Sequence, residues 1–343
     1  MIIIEKCGAL TTIQDAGRFG YEKFGVSPSG PMDIRSFTLA NLLVGNPKNG
    51  AALECTIIGP TLKFTEPSVV ALTGCNMRPN LNGKAIPMYT AVAVQAGDKL
   101  QTGIGVQGCR CYIAVAGGLD VPMVMGSRAT SIQNKIGGLQ GRKLVDGDQL
   151  PIGKPLQPLK NVAGRSIKAE NFWQVKPTIL RVLMGPQEHE FTEAGISTFL
   201  NSTYRVGMDS NRMGYRLDGA VIEHEGDGNI ISDGIVTGSV QVPTAGLPIV
   251  MLAERQTVGG YPKIATVISA DLPKIGQCRP GDRIQFQKTT IEVAQKLHQE
   301  YINEMTELEK KLSQITKMIK GPLRSYNIKV NGTIYKFTVE EVL

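Results

Sequence analysis

The chain contains 343 residues, of which 42% are hydrophobic and 20% are charged, the composition of a globular protein long enough for two domains. Its formal net charge is +7, but basic and acidic residues are interspersed, so we predict neither nucleic-acid nor membrane binding. Six scattered cysteines without metal-binding spacing, and the lack of a signal peptide or long apolar run, indicate reduced thiols in a cytoplasmic protein.

The first fifty residues combine a strand, a polar stretch and a helix. Ile2 to Ile4 form a short apolar strand. The stretch from Gly8 to Gly20 is rich in glycine and polar residues, so we predict an exposed loop. From Asp33 to Leu43 the apolar spacing predicts an amphipathic helix that is capped at its start and ends before residues 45–47.

Short apolar runs separated by turn signals follow, and this spacing predicts a mainly β protein with barrel-type domains. A Gly-Asp turn before an aliphatic residue occurs at Gly97-Asp98, Gly147-Asp148 and Gly281-Asp282. The third turn lies far from the other two, which indicates either a second barrel similar to the first or the chance recurrence of a common turn.

The polar, proline-bracketed stretch from Lys154 to Lys176 is the best candidate for a domain boundary. We therefore predict domains at residues 1–165 and 176–288 and an extension at 289–343. The second domain carries a predicted helix from Glu190 to Leu200. The extension contains a long amphipathic helix from Ile291 to Ile319, docked on the body or paired with another helix, and a β-hairpin around Asn331-Gly332.

The usual catalytic signatures are missing from the sequence. There is no HExxH motif, no Gly-x-Ser-x-Gly elbow, no phosphate-binding P-loop and no dinucleotide fingerprint. Because the only histidines are His189, His224 and His298, we predict no metal site, and we interpret His224 as an exposed strand residue.

The first polar segment with potential chemistry spans residues 11–33. It contains Gln14, Asp15, Arg18 and Asp33, which we place on exposed backbone where glycines permit close approach of a ligand. An arginine there can bind a carboxylate or a phosphate with two hydrogen bonds. The alternative is a structural loop held together by an Arg-Asp pair, and the residues alone do not decide between the two.

The second polar segment combines three stretches, at residues 210–216, 241–246 and 254–263. It concentrates arginines, an amide, a hydroxyl, a lysine and a glycine pair, a mixture suited to a small anionic substrate. The alternative of purely structural loops needs fewer donors. The candidates are Arg212, Tyr215, Arg216, Gln241, Glu254, Arg255, Gln256, Thr257, Gly259, Gly260, Tyr261 and Lys263.

Several of these stretches, in this order, resemble the biotin-dependent carboxyltransferase-like family. That family includes the C-type subunit of 5-oxoprolinase, the antagonist of a sporulation-kinase inhibitor, and the carboxyltransferase part of urea carboxylase. The resemblance covers about residues 1–287. It rests on Thr11-Thr-Ile-Gln-Asp-Ala-Gly-Arg-Phe-Gly20, Gly25-Val-Ser-Pro-Ser-Gly-Pro-Met-Asp33, Arg212-Met-Gly-Tyr-Arg-Leu217, Gln241-Val-Pro243 and Arg255-Gln-Thr-Val-Gly-Gly-Tyr-Pro-Lys263.

The resemblance implies two cyclophilin-like β-barrel domains and the role of a C-type subunit, inactive alone. Its partners would be a B-type subunit of related fold and an A-type subunit, and the complex would open 5-oxoproline, a lactam, to glutamate with ATP. ATP would be shared with the partner. The alternatives in the family are a carboxyltransferase of the urea carboxylase type and a regulatory antagonist of a sporulation-kinase inhibitor.

In the reading that the resemblance implies, the arginines, Arg212 among them, and Lys263 would balance phosphate or carboxylate charge. The charge inventory by itself leaves Asp15, Asp33 and Glu254 each open as base, orienter or structural anchor, and we expect the other candidates to bind substrate. The chain has Asn211 and Glu254 where the family often has Asp, so their roles are not carried over. The terminal hairpin is similar to the opening of a biotin carrier domain, but without an Ala-Met-Lys-Met site we expect no covalent biotin.

Overall fold

The computed structural model describes residues 1–168, 176–315, 324–330 and 333–339. Within these ranges the first half consists of two sheets and one α-helix, α1 (Ile34–Leu43). Its strands are β1 (Ile2–Lys6), β2 (Leu10–Gln14), β3 (Ala52–Thr56), β4 (Thr61–Phe64), β5 (Ser68–Gly74), β6 (Asn80–Leu81), β7 (Lys84–Ala85), β8 (Ala91–Val94), β9 (Lys99–Gln101), β10 (Arg110–Val115) and β11 (Gln149–Leu150).

The two sheets of the first half enclose one apolar core. Their orders are β11-β1-β4-β9-β6-β7 and β2-β3-β10-β5-β8. Strand β10 is buried at every position because it pairs with β3 on one side and β5 on the other, with one face on the sheet-to-sheet core and the other under α1. Tyr112 of β10 stands directly opposite Glu54 of β3, which places an acidic side chain in the middle of this layer.

The second half is built around a closed barrel. Its strands and helices are β12 (Thr178–Met184), α2 (Glu193–Asn201), β13 (Thr203–Val206), β14 (Gly214–Asp218), β15 (Asp233–Gly234), β16 (Ser239–Gln241), β17 (Ile249–Met251), β18 (Val258–Gly259), β19 (Lys263–Val267), α3 (Leu272–Gly276) and β20 (Arg283–Lys288). The described strands close in the order β12-β19-β16-β17-β14-β13-β20, with β12 and β20 parallel, while β15 and β18 form a separate ribbon.

The predicted mainly β fold is thus confirmed, and so is the first predicted helix. Asp33 caps α1 by accepting a hydrogen bond from the Ser36 N–H at 2.9 Å. The helix ends at Leu43, and Gly45 turns the chain with a φ of +73°. The predicted division into domains stays a prediction, and residues 169–175 of the predicted linker lie outside the described residues.

The remaining predicted elements also form. The helix expected from Glu190 to Leu200 is α2. The long helix is α4 (Ile291–Ile315), and residues 316–319 of its predicted range lie outside the described residues. The hairpin consists of β21 (Arg324–Val330) and β22 (Thr333–Val339). None of the described helices has the length and apolar character needed to cross a membrane.

Helix α4 docks on the body of the protein through a narrow apolar stripe, which was the first of the two alternatives predicted for it. Met305 and Leu312 are each 2% exposed and pack against Leu39 and Leu42 of α1. Only one stripe of the helix is buried because charged residues occupy the rest of its surface.

Truncation of this stripe is expected to be costly. Met305→Ala should lower the free energy of unfolding by about 2–4 kcal/mol, because it leaves a cavity between α1 and α4. Ile302→Ala is the matched control, since Ile302 is 42% exposed on the same helix. Urea denaturation of both variants measures the difference, and equal effects would contradict the docking.

The three Gly-Asp turns have the same geometry. In each, the aspartate carboxylate accepts a hydrogen bond from the N–H three residues earlier, at 2.7 Å for Asp98, 2.8 Å for Asp148 and 2.9 Å for Asp282. The preceding glycine has a φ between +90° and +93° in all three, which other residues rarely adopt. Two turns lie in the first half and one in the barrel, and their common geometry is expected both for a repeated barrel and for the recurrence of a common turn.

One of these turns carries an ion pair with a predicted pH dependence. Arg142 binds Asp148 through two hydrogen bonds of 2.7 and 2.8 Å and holds the pKa of that carboxyl below its ordinary value. A lowered pKa stabilises the fold above the unfolded value of about 3.9, and this stabilisation is lost as pH falls through the folded value.

We therefore expect Asp148→Asn to cost about 1 kcal/mol at pH 7, with the difference from wild type shrinking as pH falls below about 4. Urea denaturation from pH 7 to pH 3 checks this. Asp98→Asn is the control, because Asp98 makes the same turn and bonds Asn82 instead of an arginine. A pH-independent difference for Asp148→Asn would contradict the ion-pair account.

Candidate functional site

The two halves meet at a buried group of charged side chains. Arg212, just before β14, donates from Nε to Glu254 at 2.6 Å and from Nη2 to the Gly30 carbonyl oxygen at 2.6 Å. Its Nη1 forms a very short hydrogen bond to Glu54 of the first half. All three charged side chains are at most 4% exposed. Arg212 thus joins acids from both halves.

Glu54 is the centre of this group. Its Oε2 accepts from the Tyr112 hydroxyl at 2.7 Å and from the Met32 N–H at 2.8 Å, and Arg110 Nε lies 3.7 Å from its Oε1. Burial opposes ionisation of Glu54, but the charges of Arg212 and Arg110 hold its pKa below the ordinary value. The carboxylate is therefore ionised and fully engaged inside the protein.

Arg110 and Tyr215 extend the contact between the halves. Arg110 Nη1 donates to the Tyr215 hydroxyl at 2.6 Å and to the Gly276 carbonyl at 2.5 Å, and the Tyr215 hydroxyl donates to the Cys278 carbonyl at 3.1 Å. Burial raises the pKa of Tyr215 above its ordinary value, so the phenol is neutral. Tyr215, predicted to bind substrate, is instead 3% exposed and bonded to protein.

Asp33 is likewise occupied. Its Oδ2 accepts from Ser36 Oγ at 2.6 Å and from Gln277 Nε2 at 2.8 Å, in addition to the cap of α1. Burial raises the pKa of this carboxyl. The prediction that Asp33 lies on exposed backbone is wrong, because its hydrogen-bonding capacity is used to cap a helix and hold Gln277 of the other half.

The first polar segment is not the exposed loop we predicted. It contains β2, and Gln14 and Arg18 are fully buried while Asp15 is 9% exposed. The Gln14 amide donates to the Thr130 carbonyl and accepts from the Gly30 N–H. The physical reason is that these polar side chains form hydrogen bonds with backbone groups in the interior. They therefore need no contact with water.

The Arg-Asp pair of the structural alternative does not form among the described residues. Arg18 donates to the carbonyls of Val124 and Ala129, both at 2.9 Å, rather than to a carboxylate. Its Nη1 is buried without a hydrogen-bond partner among the described residues. Asp15 accepts from Ser127 and from the Arg128 N–H instead. A ligand-binding role for this segment stays a prediction.

Lys263 is a buried candidate whose ion-pair partner is exposed to solvent. It lies at the start of β19 with a 5% exposed side chain, and its Nζ contacts Asp233, which is 52% exposed, at 2.6 Å. Gln187 accepts from the Lys263 N–H at 3.2 Å and donates to the Asp233 carboxylate at 3.2 Å. The hydrogen bond from Lys263 lowers the pKa of Asp233. The buried lysine is thus paired with one half-exposed carboxylate.

The glycine pair and its neighbours surround this cation. Strand β15 pairs Asp233 with Gly259 of β18, and Gln241 donates to the Tyr261 carbonyl at 3.2 Å. A Cβ atom at Gly259 would lie 2.7 Å from a side-chain atom of Ile235 and 2.8 Å from the Gln241 amide. Tyr261 is 39% exposed. The structure therefore brings Lys263, Gln241, Tyr261 and the glycines together, and substrate binding by them stays a prediction.

The remaining candidates fall into two groups. Arg255 is buried beside this site, donates to the Ile235 carbonyl at 3.0 Å, and its Nη1 is buried without a hydrogen-bond partner among the described residues. Gln256 is exposed and Thr257 half-buried on the same loop. Arg216 is exposed on β14, in the same cross-strand row of the barrel as Gln241 and Lys263 but separated from Lys263 by strands β17 and β16.

The described residues contain no group of three or more His, Cys, Asp or Glu side chains that could hold a metal ion. His224 is half-buried rather than exposed, since its Nε2 lies 3.0 Å from the Val242 carbonyl and its ring packs 4.9 Å from that of Phe191. Our exposure prediction for His224 is therefore wrong, because Phe191 and the Val242 carbonyl cover one side of its ring.

Three central residues were not predicted from the sequence. Glu54 lies within a buried strand and Arg110 at the start of another. An acidic residue in the apolar run Ala52-Leu-Glu-Cys-Thr56 indicates that a buried cation must lie next to it, and this signal could have identified Glu54. Asp233 carries no such signal, because its role depends on a lysine thirty positions later that only the barrel brings close.

The chain is similar to several known proteins over most of its length. The family described as "Carboxyltransferase domain, subdomain A and B" matches residues 24–288. The chain is 40% identical over 300 residues to the C-type subunit of 5-oxoprolinase from Escherichia coli (strain K12), covering 88% of this chain and 95% of that protein. It is 34% identical over 306 residues to urea amidolyase of Saccharomyces cerevisiae, covering 84% of this chain but 17% of that protein.

A solved structure gives the same result. The crystal structure of the K. lactis urea amidolyase superimposes with a TM-score of 0.82 at 32% identity, covering 90% of this chain and 20% of that one. The family expected from the sequence motifs is therefore confirmed.

Proposed function

Because the chain belongs to the carboxyltransferase domain family, subdomains A and B, we propose that it is the C-type subunit of an ATP-dependent 5-oxoprolinase. The observation that carries this proposal is the extent of the match: it spans nearly the whole of two C-type subunits of 5-oxoprolinase but only a small part of the urea amidolyases. The match to this chain therefore covers nearly the full length of each C-type subunit of 5-oxoprolinase.

The Lys263 site supports this role chemically. Opening the lactam of 5-oxoproline requires charge to develop on the amide oxygen, and ATP makes the opening favourable by supplying a phosphoryl group. Lys263 and the buried Arg255 Nη1 are cations suited to phosphate or carboxylate oxygens. Asp233 can leave Lys263 for solvent when an anion arrives, because it is half-exposed.

The same geometry supports the need for partners. The acids Asp15, Asp33 and Glu254, which the sequence offers as possible bases, are bonded to protein groups and buried. Next to Lys263, the described carboxylate is Asp233, whose pKa is lowered, so it is a weak base. A B-type and an A-type subunit would therefore supply the missing catalytic groups, and the isolated chain would be inactive.

A second candidate is a carboxyltransferase of the urea carboxylase type, favoured by the superposition on urea amidolyase. It requires a biotinylated carrier from another protein. The carboxylate of carboxybiotin and the phosphate of ATP are both anions, so the Lys263 site fits either ligand and does not choose between them.

Co-purification with an omission assay tests the proposal. The tagged chain should recover a B-type and an A-type subunit from its native extract, and each purified component left out in turn should abolish ATP-dependent release of glutamate. Recovery of a biotinylated carrier with carboxylation of urea would instead establish the second candidate. A complete, folded mixture that forms neither product would overturn both.

A further inference from the structure

An exposed aliphatic surface lies at the rim of the contact between the two halves. It consists of Ile57, Ile58, Ile104 and Val106, which are 37%, 40%, 65% and 47% exposed. The four are contiguous, because Gly105 N–H donates to the Ile57 carbonyl at 2.8 Å and Ile58 pairs with Ile104. We call them the aliphatic surface. Contiguous exposed apolar residues of this kind mark interaction sites more often than single ones do.

The backbone holds this surface in a strained conformation. Ile57 has a φ of +64°, and the Ile58 N–H donates to the Thr56 carbonyl at 2.7 Å, which together define a γ-turn with a left-handed central residue. A β-branched residue is rarely found there, whereas glycine or asparagine adopts it easily. Isoleucine therefore lowers the stability of this turn, while the residue remains 37% exposed.

A cationic cavity adjoins the aliphatic surface. Val106 belongs to both, and the cavity of about 240 Å³ is also lined by Lys176, Lys274 and Arg279. Lys176 pairs with Asp282 at 2.6 Å and Lys274 pairs with Asp271 at 2.8 Å. Arg279 instead donates to the carbonyls of Gly108 and Gly105, both at 2.6 Å, and forms no ion pair with the described residues.

Asp282 also lines the cavity, where it pairs with Lys176 and accepts a hydrogen bond from the Arg279 N–H at 2.9 Å. No carboxylate of the described residues lies within ion-pair distance of the Arg279 guanidinium, so the three cations of the lining outnumber its one acid. A guanidinium stays charged at any physiological pH, so the cavity has capacity for an additional anion. A small free anion would satisfy Arg279 but would leave the aliphatic surface in water. A protein segment that presents an apolar side chain beside an acidic one satisfies both features.

We propose that the aliphatic surface and this cavity bind a segment of a partner subunit that carries an apolar side chain next to an Asp or Glu. The identity of the partner rests on the proposed function. The surface lies at the outer end of β3, the strand whose Glu54 binds Arg212, so a segment docked here would contact both halves of the chain.

The test compares two equally exposed positions. Ile104→Glu should weaken binding of the purified full-length chain to the B-type or the A-type subunit by about 30-fold, the size of an interface hot spot, because it adds an anion to the apolar half of the surface. Leu156→Glu is the control: Leu156 is 70% exposed and lies beside α4 on a different part of the molecule. Biolayer interferometry with each partner measures both affinities.

A second variant separates binding from folding. Ile57→Asn should keep the thermal unfolding midpoint at or above that of wild type, because it relieves the strained turn, yet weaken partner binding. A lowered midpoint with unchanged binding would assign the side chain to folding and overturn the proposal. So would wild-type affinity of Ile104→Glu for both partners, binding of inorganic phosphate alone at the cavity, or self-association through this surface without partner binding.

These outcomes differ from failure of the proposed function. If wild type binds the partners through this surface but the complete mixture forms no glutamate, the docking proposal stands and the 5-oxoprolinase function falls. If Ile104→Glu and wild type support equal binding and equal glutamate formation, the function stands and the docking proposal falls.

Discussion

Arg212→Met is expected to lower the free energy of unfolding by about 3–5 kcal/mol, one of the two largest effects predicted for a single change in this chain. The variant keeps most of the side-chain volume but removes the cation between Glu54 and Glu254, which are 1% and 3% exposed. Two buried carboxylates would then face each other without their shared counter-ion. They must either take up protons or draw in water, and both reduce stability.

The control for this prediction is Arg216→Met, an arginine four positions later that is exposed on β14. It should change stability by less than about 0.5 kcal/mol. Urea denaturation at pH 7 measures both variants. A small effect of Arg212→Met, equal to that of Arg216→Met, would show that Arg212 does not hold the halves together and would make it a catalytic candidate again.

Lys263→Met is expected to lower kcat/KM of the assembled complex by about 10²- to 10³-fold, the usual cost of removing one group that stabilises developing charge. Stability should change little, because the partner of Lys263 is Asp233, whose 52% exposed side chain remains solvated after the change. This separates the two cations: Arg212 supports the fold, and Lys263 supports the reaction.

Two further variants give this prediction its controls. Lys288→Met removes an exposed lysine of the same barrel and should leave kcat/KM unchanged. Lys263→Arg keeps the charge and should retain part of the activity. Steady-state kinetics of glutamate formation, with circular dichroism to confirm folding, distinguishes these cases. Wild-type kcat/KM for Lys263→Met would remove this lysine from the mechanism.

The sequence predicted those helices and strands whose formation depends on residues within a few positions of one another. The Asp33 cap, the spacing of apolar residues in α4 and the Asn331-Gly332 sequence signal each act within a few positions, so α1, α4 and the paired strands of the hairpin were all predicted. Residues 331 and 332 themselves lie outside the described residues. The three Gly-Asp turns were predicted as turns, but only the structure shows that they share one hydrogen-bonding geometry.

The site was harder to predict, because its contacts join residues far apart in the sequence. Glu54 and Arg212 are 158 positions apart, and no local pattern indicates that they meet. Polarity was also misleading: Gln14, Asp15 and Arg18 were placed in solvent, whereas they bind backbone groups in the interior. A polar side chain gives the same sequence signal whether its partner is water or a buried carbonyl.

The most direct test of the proposed function is the fate of labelled 5-oxoproline in a mixture of this chain, purified B-type and A-type subunits, and ATP. We predict labelled glutamate formed in step with ATP hydrolysis, and none when this chain is left out. Glutamate formation at the same rate without this chain, or none in a complete mixture whose subunits are folded and associated, would contradict its role as the C-type subunit.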